Sequence, residues 1–426
     1  MRAKVQIGMA SFQFMVNSRR AIFYTFLTLF MFEVLGASFI EISLVITLPM
    51  LISSSMQALV WGRLSDRIRR RRLLIVVGEI SAGIGYLLIW TSISVWVIII
   101  GLALIEAIWS MSNTGWAALF ADLTAPGERS TLNGRINGLG VIGRIVGITV
   151  IGAIYDIPTP GAGFPFVFPI ASAIMFGSVI VLVALVPEVK GLPSVLEQES
   201  QLKTSRGLKG VLKGYPPGFL IFLGCWAFIA IGWTCYMSLF TVYLRIGLSL
   251  SSVEIGLVRN LNSGVGLIAA PVAGYLGDRL GRKFVILEAL IIQIAVTLLY
   301  PFSTALLPML IVNTLAGITR PALHTVGYAL AADLIPEDQR GRLFGAYNAA
   351  WTLSFGASPT VVGSFFATWR ENYYLINGVS SDFAELQAII DVFFLSTGLV
   401  ASGAVLFAAV IREPKRKSTP EPTKQS

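Results

Sequence analysis

Long apolar runs recur along the whole chain and are separated by short polar segments. A membrane-spanning helix needs about 20 mainly apolar residues, and twelve runs come close to that length. The boundary between the first two runs is the least defined, because only Gly36, Ser38 and Glu41 interrupt it. We therefore predict twelve membrane helices, over residues 21–43, 44–62, 73–92, 95–119, 132–154, 165–187, 216–244, 252–274, 284–302, 305–331, 341–367 and 388–411.

The composition agrees with a chain that lies mostly in lipid. Hydrophobic residues make up 55% of the 426 residues and charged residues only 13%, whereas a soluble chain carries about 25% charged residues. Several soluble domains are therefore excluded. Cys225 and Cys235 lie in one apolar run, too far apart along a helix to form a disulfide with each other. With a single histidine, the chain is expected to hold no metal site and no cofactor.

The basic residues predict the orientation. With the N-terminus inside, the inner segments hold 27 of the 32 Lys and Arg residues, and the outer loops hold only Arg245 and Arg370. Such a bias sets topology in membrane proteins, so both termini are predicted to be cytoplasmic, with residues 1–20 as a polar lead-in. We expect a multi-pass protein of the cell (inner) membrane. The net charge of +9 then faces anionic lipid, and no nucleic-acid partner is required.

Two loop sequences recur at about half the chain length. Residues 62–70 (GRLSDRIRR) match residues 274–282 (GYLGDRLGR), an offset of 212, and residues 121–129 (ADLTAPGER) match residues 332–340 (ADLIPEDQR), an offset of 211. Such self-similarity indicates a structural repeat. The predicted units are a first six-helix bundle (1–187), a polar cytoplasmic linker (188–215), and a second bundle with a short basic tail (216–426).

These doubled loops resemble the signature loops of the major facilitator superfamily, and the span count and central linker match as well. The resemblance implies an all-α membrane protein in which twelve helices form two pseudo-symmetric six-helix bundles. It also implies alternating access, in which the two bundles rock about a central cavity lined by spans 1, 4, 7 and 10.

The acidic residues of these loops are candidate gates. Asp66 and Asp278 can accept hydrogen bonds from a helix N-terminus or pair with an arginine across the seam between the halves. Alternatively, the arginines are only orientation signals. Arg69 stands where the second copy has Gly281, so the first copy is expected to lose the tighter turn. The full set of predicted gating residues is Asp66, Arg67, Asp122, Arg129, Asp278, Arg279, Asp333 and Arg340.

Ionisable residues within the spans are the candidate site. Each costs about 2.5–3.5 kcal/mol on insertion scales, and such residues usually mark transport pathways. In one interpretation they pair structurally, with Glu33 and Arg144 as the obvious pair. That explanation suits Arg259 and Arg320 less well, because the second half offers no carboxylate at mid-depth. In the other interpretation the substrate is bound by Arg144, Arg259, Arg320, Asn113, His324, Trp109 and Trp233.

Proton coupling is assigned to Glu33 or Glu106, because a carboxylate near an arginine in a low-dielectric cavity can gain and lose a proton. The expected function is secondary active transport of a small organic solute, with protons as the coupling ion. Efflux of drug-like compounds is favoured, although Met111 precedes Gly115 where drug antiporters have an arginine, and span 5 lacks their Gly-Pro motif. The alternatives are proton-coupled uptake of an organic anion or sugar, and a non-transporting membrane sensor.

An enzyme is not expected. The sequence has no G-x-x-x-x-G-K-[ST] nucleotide-binding run, and its charged residues form no convergent catalytic set. The expected partners are a small-molecule substrate, protons and the lipid bilayer, with the protein acting as a monomer.

Overall fold

The computed structural model describes residues 3–68, 70–124, 129–188, 216–334 and 340–411, and the secondary structure of this part is helical. Its helices group into twelve membrane segments, α1 to α12, which confirms the predicted fold class. The first six are α1 (Ala3–Glu33), α2 (Phe39–Met56, a π-helical turn Gln57–Trp61, then Gly62–Ile68), α3 (Arg71–Ile89), α4 (Val95–Leu123), α5 (Arg129–Ile154) and α6 (Val167–Leu185). The second six are α7 (Pro217–Thr234 and Phe240–Ile246), α8 (Ser252–Leu280), α9 (Arg282–Leu299), α10 (Leu306–Pro321, a π-helical turn Ala322–Val326, then Gly327–Leu334), α11 (Arg340–Ser358, a π-helical turn Pro359–Ser364, then Phe365–Ile376) and α12 (Ser381–Val410).

Nine of the described helices are long and apolar enough to cross a membrane. The other three, α1, α8 and α11, are equally long but carry more polar residues. They pack between the apolar helices, with α1 against α5 and α6, α8 against α10 and α5, and α11 against α7 and α2. Each of the three more polar helices therefore has part of its surface covered by neighbouring helices.

The first helix differs from the prediction. It begins at Ala3 rather than at residue 21 and ends at Glu33, so residues 3–20 are not a polar lead-in. Its early turns hold because Val5, Met9, Phe12 and Val16 recur at helical spacing and are all buried. The next helix begins after Ser38, whose side chain forms a capping box with Glu41.

The two membrane faces can be named from their loops. The basic side holds the α2–α3 and α8–α9 loops with their arginines, and the opposite side holds residues 34–38 and 247–251. Near the opposite side the two halves approach closely, where Ser252 Oγ donates to the Gly152 carbonyl at 2.7 Å. Deeper in the seam, Thr360 Oγ1 lies 2.9 Å from Thr47 Oγ1. The seam is therefore closed by small polar residues on the side away from the basic loops.

Candidate functional site

A cavity of about 590 Å³ lies between the two halves, within the usual range of about 300–1,000 Å³ for small-molecule sites. Its wall carries four guanidinium groups, from Arg20 on α1, Arg144 on α5, Arg259 on α8 and Arg320 on α10. Among the described lining residues, Glu106 on α4 is the one carboxylate. The cavity therefore has a large excess of positive charge.

Arg259 is held in place by neighbouring residues of the second half. Its Nη2 donates to Thr241 Oγ1, and its guanidinium carbon lies 5.1 Å from the centre of the Phe240 ring. Its Nε is buried and has no hydrogen-bond partner among the described residues. One donor of this arginine thus remains unsatisfied beside the cavity.

Arg144 and Arg320 belong to opposite halves and both line the cavity. Within the described part of the chain, no hydrogen bond or ion pair involves either guanidinium group. Arg144 is exposed to the cavity and lies within electrostatic range of Arg320, Arg259 and Arg20. Such an arrangement is unfavourable unless water or an anion compensates for it.

Glu106 is nearly fully buried and accepts a 2.8 Å hydrogen bond from the Tyr24 hydroxyl. Both residues line the cavity. Tyr24 thus holds the Glu106 carboxylate in place at the cavity wall.

A second polar cluster, which the sequence analysis missed, lies behind this wall. Arg19 is fully buried, donates to the Tyr86 hydroxyl at 3.1 Å and lies 4.8 Å from the centre of the Trp109 ring. Glu79 Oε1 accepts 2.7 Å bonds from Trp109 Nε1 and Ser112 Oγ. Trp109 is therefore part of a buried cluster. Contrary to the prediction, it is not among the residues that line the cavity. The helical spacing of apolar residues before Arg19 was the signal that could have placed it inside the membrane.

Of the other predicted substrate contacts, some line the cavity and some are packed away from it. Asn113 lines the cavity, together with the three predicted arginines. His324 instead lies between the rings of Trp233 and Trp351, with centroids 5.8 Å and 4.5 Å away. Trp233 is itself buried. His324 sits in the π-helical turn of α10, so a regular helix could not give its direction.

Glu33 lies far from the predicted mid-depth position. The helix α1 begins at Ala3 near the basic side and crosses the membrane over 31 residues. Its last residue, Glu33, therefore lies at the opposite side. It accepts a 2.7 Å bond from Arg245 Nε and a 3.0 Å bond from the Tyr155 hydroxyl. Arg245 Nη2 also donates to Asp156 at 2.7 Å. The expected Glu33–Arg144 pair is therefore wrong, and Glu33 instead joins the two halves through Arg245.

Asp156 lies in the loop after α5, outside the membrane helices. Burial alone would raise the pKa of its carboxyl group, but hydrogen bonds from Arg245 and Ser252 outweigh that effect, so the pKa lies below its usual value. Asp156 thus completes a charged cluster with Glu33 and Arg245 that spans the seam.

Between this cluster and the cavity lies a layer of hydroxyl groups. Ser43 Oγ on α2 contacts Ser238 Oγ at 2.5 Å and also contacts Ser364 Oγ on α11. Thr241 Oγ1 donates to the Thr25 carbonyl at 3.4 Å. In this conformation the cavity is closed toward the opposite side by contacts between the halves.

The repeated loops form equivalent contacts within each half. Arg71 Nη1 donates at 2.6 Å to both the carbonyl and hydroxyl oxygens of Ser65, and Arg71 Nε lies 3.4 Å from Asp122. In the second half, Arg282 pairs with Asp333. Arg71 and Arg282 differ by 211 residues, as do the two aspartates. Arg71 is thus the residue of the first half that is structurally equivalent to Arg282. The 212-residue sequence match had instead aligned Arg70 with Arg282.

The predicted difference between the two turns is present and explains this shift. Gly281 has φ +106°, a conformation available essentially only to glycine. The first copy lacks that glycine, and its next helix begins at Arg71, one residue later than the 212-residue match predicts. The longer loop takes the place of the glycine turn.

The remaining predicted gating residues keep their role as a prediction. Asp278 is largely exposed and lies 3.9 Å from Arg282 of its own half. Arg279 lies 4.7 Å from the centre of the Tyr275 ring, and Arg67 is exposed. The side chains of Asp66, Arg129 and Arg340 lie outside the described residues. In the described part of the chain, no three His, Cys, Asp or Glu residues cluster in a way that could hold a metal ion.

Comparison with known proteins agrees with this fold. The chain is 33% identical over 108 residues to an uncharacterized MFS-type transporter of Mycobacterium tuberculosis, which covers 25% of this chain and 15% of that protein. It is 31% identical over 136 residues to protein spinster homolog 1 of Xenopus laevis. That match covers 30% of this chain and 26% of the relative. The chain thus matches less than a third of the length of either relative. A crystal structure of a bacterial homolog to the human lysosomal transporter Spinster, in an inward-facing and occupied conformation, has a TM-score of 0.76 at 14% identity and covers 97% of both chains.

The family profile described as Major Facilitator Superfamily matches residues 9–258 and 222–426. These two matches take in nearly the whole chain, and each contains one copy of the doubled loop. The chain is therefore an integral membrane protein that belongs to the Major Facilitator Superfamily of transporters.

Proposed function

We propose that this protein is a secondary active transporter that carries an organic anion across the membrane by alternating access. The observation that carries this proposal is the charge of the central cavity, where the described lining residues include four arginines and one carboxylate, that of Glu106. A cationic or neutral compound would leave those guanidinium groups uncompensated in a low-dielectric site, whereas an anion would neutralise them. The sequence alone favours efflux of drug-like compounds. The charge of the cavity instead favours proton-coupled uptake of an organic anion.

Part of the cavity wall is apolar, which suits the carbon skeleton of such a solute. Ile46 and Met50 on α2 face this space together with Phe355 and Pro359 on α11. An inorganic anion would make no use of this surface. An organic anion would bury its apolar part there and place its charge against the arginines.

Proton coupling is proposed at Glu106. It lines the cavity, whereas Glu33 is engaged by Arg245 at the opposite side. Protonation of Glu106 would remove the one negative charge among the described lining residues and so strengthen attraction for an anion. Proton and anion would then move in the same direction. We assign the basic side to the cytoplasm, so that the conformation closed at the opposite side faces inward.

The test is uptake by the purified full-length chain in proteoliposomes with an imposed pH gradient. The panel consists of benzoate, benzenesulfonate, glucose and the cation tetraphenylphosphonium. We expect the two anions to accumulate with an inward proton gradient and Arg320→Gln to abolish their uptake. Arg135→Gln, an exposed arginine of α5 that does not line the cavity, is the matched control. Accumulation of the cation or of glucose alone would contradict the proposal, and binding without any flux would favour a sensor.

A further inference from the structure

We infer that Arg144, Arg259 and Arg320 together form one binding site for a doubly charged headgroup, such as a phosphonate, a phosphate monoester or a dicarboxylate, that bridges the two halves. This inference rests on the proposed anion transport and specifies the charge of the transported compound.

The three arginines come from different sides of the seam. Arg144 belongs to the first half, and Arg259 and Arg320 belong to the second. The helices α5 and α8 are fixed beside each other by a 2.9 Å bond from Asn260 Nδ2 to Thr149 Oγ1. That contact lies next to Arg259 along α8 and about one and a half turns from Arg144 along α5. Arg144 and Arg259 both line the cavity, and Arg144 lies within electrostatic range of Arg259 and Arg320.

The count of charges indicates two negative charges on the ligand. Among the described lining residues, four arginines and one glutamate leave an excess of three positive charges. A singly charged anion would leave two guanidinium groups uncompensated, whereas a dianion would leave one.

The donors are also of the right kind. Arginine presents several N–H groups in a planar fork that matches the oxygens of a phosphonate or carboxylate. Arg144 and Arg320 have no protein acceptor among the described residues, and the buried Nε of Arg259 has none either. One headgroup with several oxygens could accept from all three side chains at once.

The bridging position has a consequence for transport. With the site empty, Arg144 repels Arg259 and Arg320 across the seam, and this repulsion opposes any closure of the halves over the cavity. A bound dianion replaces the repulsion with attraction to both sides. The loaded protein therefore changes conformation faster than the empty one, and exchange of dianion for dianion should outpace net uptake.

The test compares ligands of one shape and different charge. Phenylphosphonate carries two negative charges at mildly alkaline pH, and benzenesulfonate carries one. Isophthalate and benzoate form the corresponding carboxylate pair. Affinity for the purified full-length protein is measured by ligand-induced thermal stabilisation. We expect the dianion of at least one pair to bind about 10–100-fold more tightly than its partner, as charge-assisted hydrogen bonds contribute.

Variants then tie that preference to the named residues. Arg144→Gln and Arg320→Gln should reduce the dianion-to-monoanion ratio to near one, whereas Arg135→Gln on the same helix should preserve it. Arg320→Lys, which keeps the charge but not the fork, should give an intermediate ratio. In proteoliposomes, trans-loading with the preferred dianion should accelerate uptake several-fold.

The outcomes separate this inference from the proposed function. If monoanions and dianions bind equally, or if the ratio survives both glutamine variants, the dianion site is wrong while anion transport stands. If no anion of either charge stabilises the protein, the proposed function itself fails. The phosphonate and carboxylate pairs show which headgroup chemistry the site prefers.

Discussion

Arg245 Nε donates a 2.7 Å hydrogen bond to Glu33 Oε1 and so ties the second half of the transporter to the last residue of α1. The same guanidinium group bonds Asp156 of the first half. Both carboxylates are only partly exposed. Among the described ion pairs, those of this cluster are the ones that join the two halves, on the closed side of the seam.

Removal of Arg245 should favour opening at that side. Loss of charge-assisted hydrogen bonds of about 1.5–3 kcal/mol would raise the population open to the opposite side by about 10–100-fold. In a background with Cys225 and Cys235 replaced by alanine, Ser238→Cys reports this opening through its labelling rate with a membrane-impermeant maleimide. The reagent is added only on the side opposite the basic loops, because Ser238 also lines the cavity. Arg245→Gln should increase that rate.

The control for this prediction is another charged pair at the same membrane face. Arg370 pairs with Asp391 at 2.5 Å, and both belong to the second half. Arg370→Gln should therefore leave the labelling rate of Ser238→Cys unchanged. An equal rise in both variants would show that general destabilisation, and not release of the seam, exposes the cysteine.

The cluster also predicts an acid-sensitive component of stability. A carboxyl group whose pKa is lowered by folding stabilises the protein fully above its unfolded pKa, which is about 3.9 for aspartate, and this stabilisation is lost as the pH falls through the lowered folded pKa. The lowered pKa of Asp156 thus predicts a melting temperature that declines below about pH 4. Asp156→Asn should remove part of that decline. Arg245→Gln, which removes the main donor and so lets burial raise the folded pKa of Asp156, should likewise reduce the decline. An identical pH profile in all three proteins would contradict the assignment.

Glu106→Gln tests proton coupling. The amide cannot release a proton but preserves the shape of the side chain, so anion uptake driven by a pH gradient should be lost while exchange of anion for anion continues. Tyr24→Phe keeps the carboxylate and removes only its donor, and should change apparent affinity by about 1 kcal/mol or less. Radiolabelled uptake with and without a gradient distinguishes the two processes. Gradient-driven uptake that persists in Glu106→Gln would assign coupling elsewhere.

The turn at Gly281 predicts unequal effects of two glycine substitutions. At φ +106° a side chain is strained by about 1–3 kcal/mol, so Gly281→Ala should lower the melting temperature. Gly264 lies in the regular helix α8, and no atom lies within 4 Å of an added Cβ there. Gly264→Ala should leave the melting temperature unchanged or raise it, because alanine favours helix by about 0.5–1 kcal/mol. Equal melting temperatures in the two variants would remove the special role of the turn.

Much of the architecture follows from residue patterns that depend little on context. Twelve apolar runs predict twelve spans because lipid requires that length of apolar helix. The repeat was visible because the loop motifs of the two halves share their charged residues. Arg144, Arg259 and Arg320 were identified for a similar reason, since an arginine within an apolar run has few structural explanations.

The first helix could not be placed by hydropathy alone. Arg19 and Arg20 lower the apolar average just where the helix passes through the middle of the protein, so the run seemed to begin after them. The error displaced Glu33 to mid-depth and hid both arginines. A search for helical periodicity would have found Val5, Met9 and later apolar residues on one face.

Side-chain direction was harder to predict than depth. A π-helical turn contains one residue more than an α-helical turn. Pro321 directly precedes the turn in α10, but a proline indicates only a possible kink and not an inserted residue. His324 therefore points to Trp233 and Trp351 rather than to the cavity. Trp109 was misplaced because its buried partner Glu79 lies on another helix, which spacing along one helix cannot show.

The π-helical turn Gln57–Trp61 has a similar effect on the first loop motif. The inserted residue rotates everything after it by about 100° about the helix axis, and Ser65 thereby reaches Arg71. The equivalent helix α8 runs from Ser252 to Leu280 without such a turn, yet its following loop provides the same arginine–aspartate pair. The two halves thus arrive at one contact through different helix windings. Deletion of a single residue from this turn would remove that rotation of about 100° and direct Ser65 away from Arg71. The contact would then be lost although every residue of the motif remained intact.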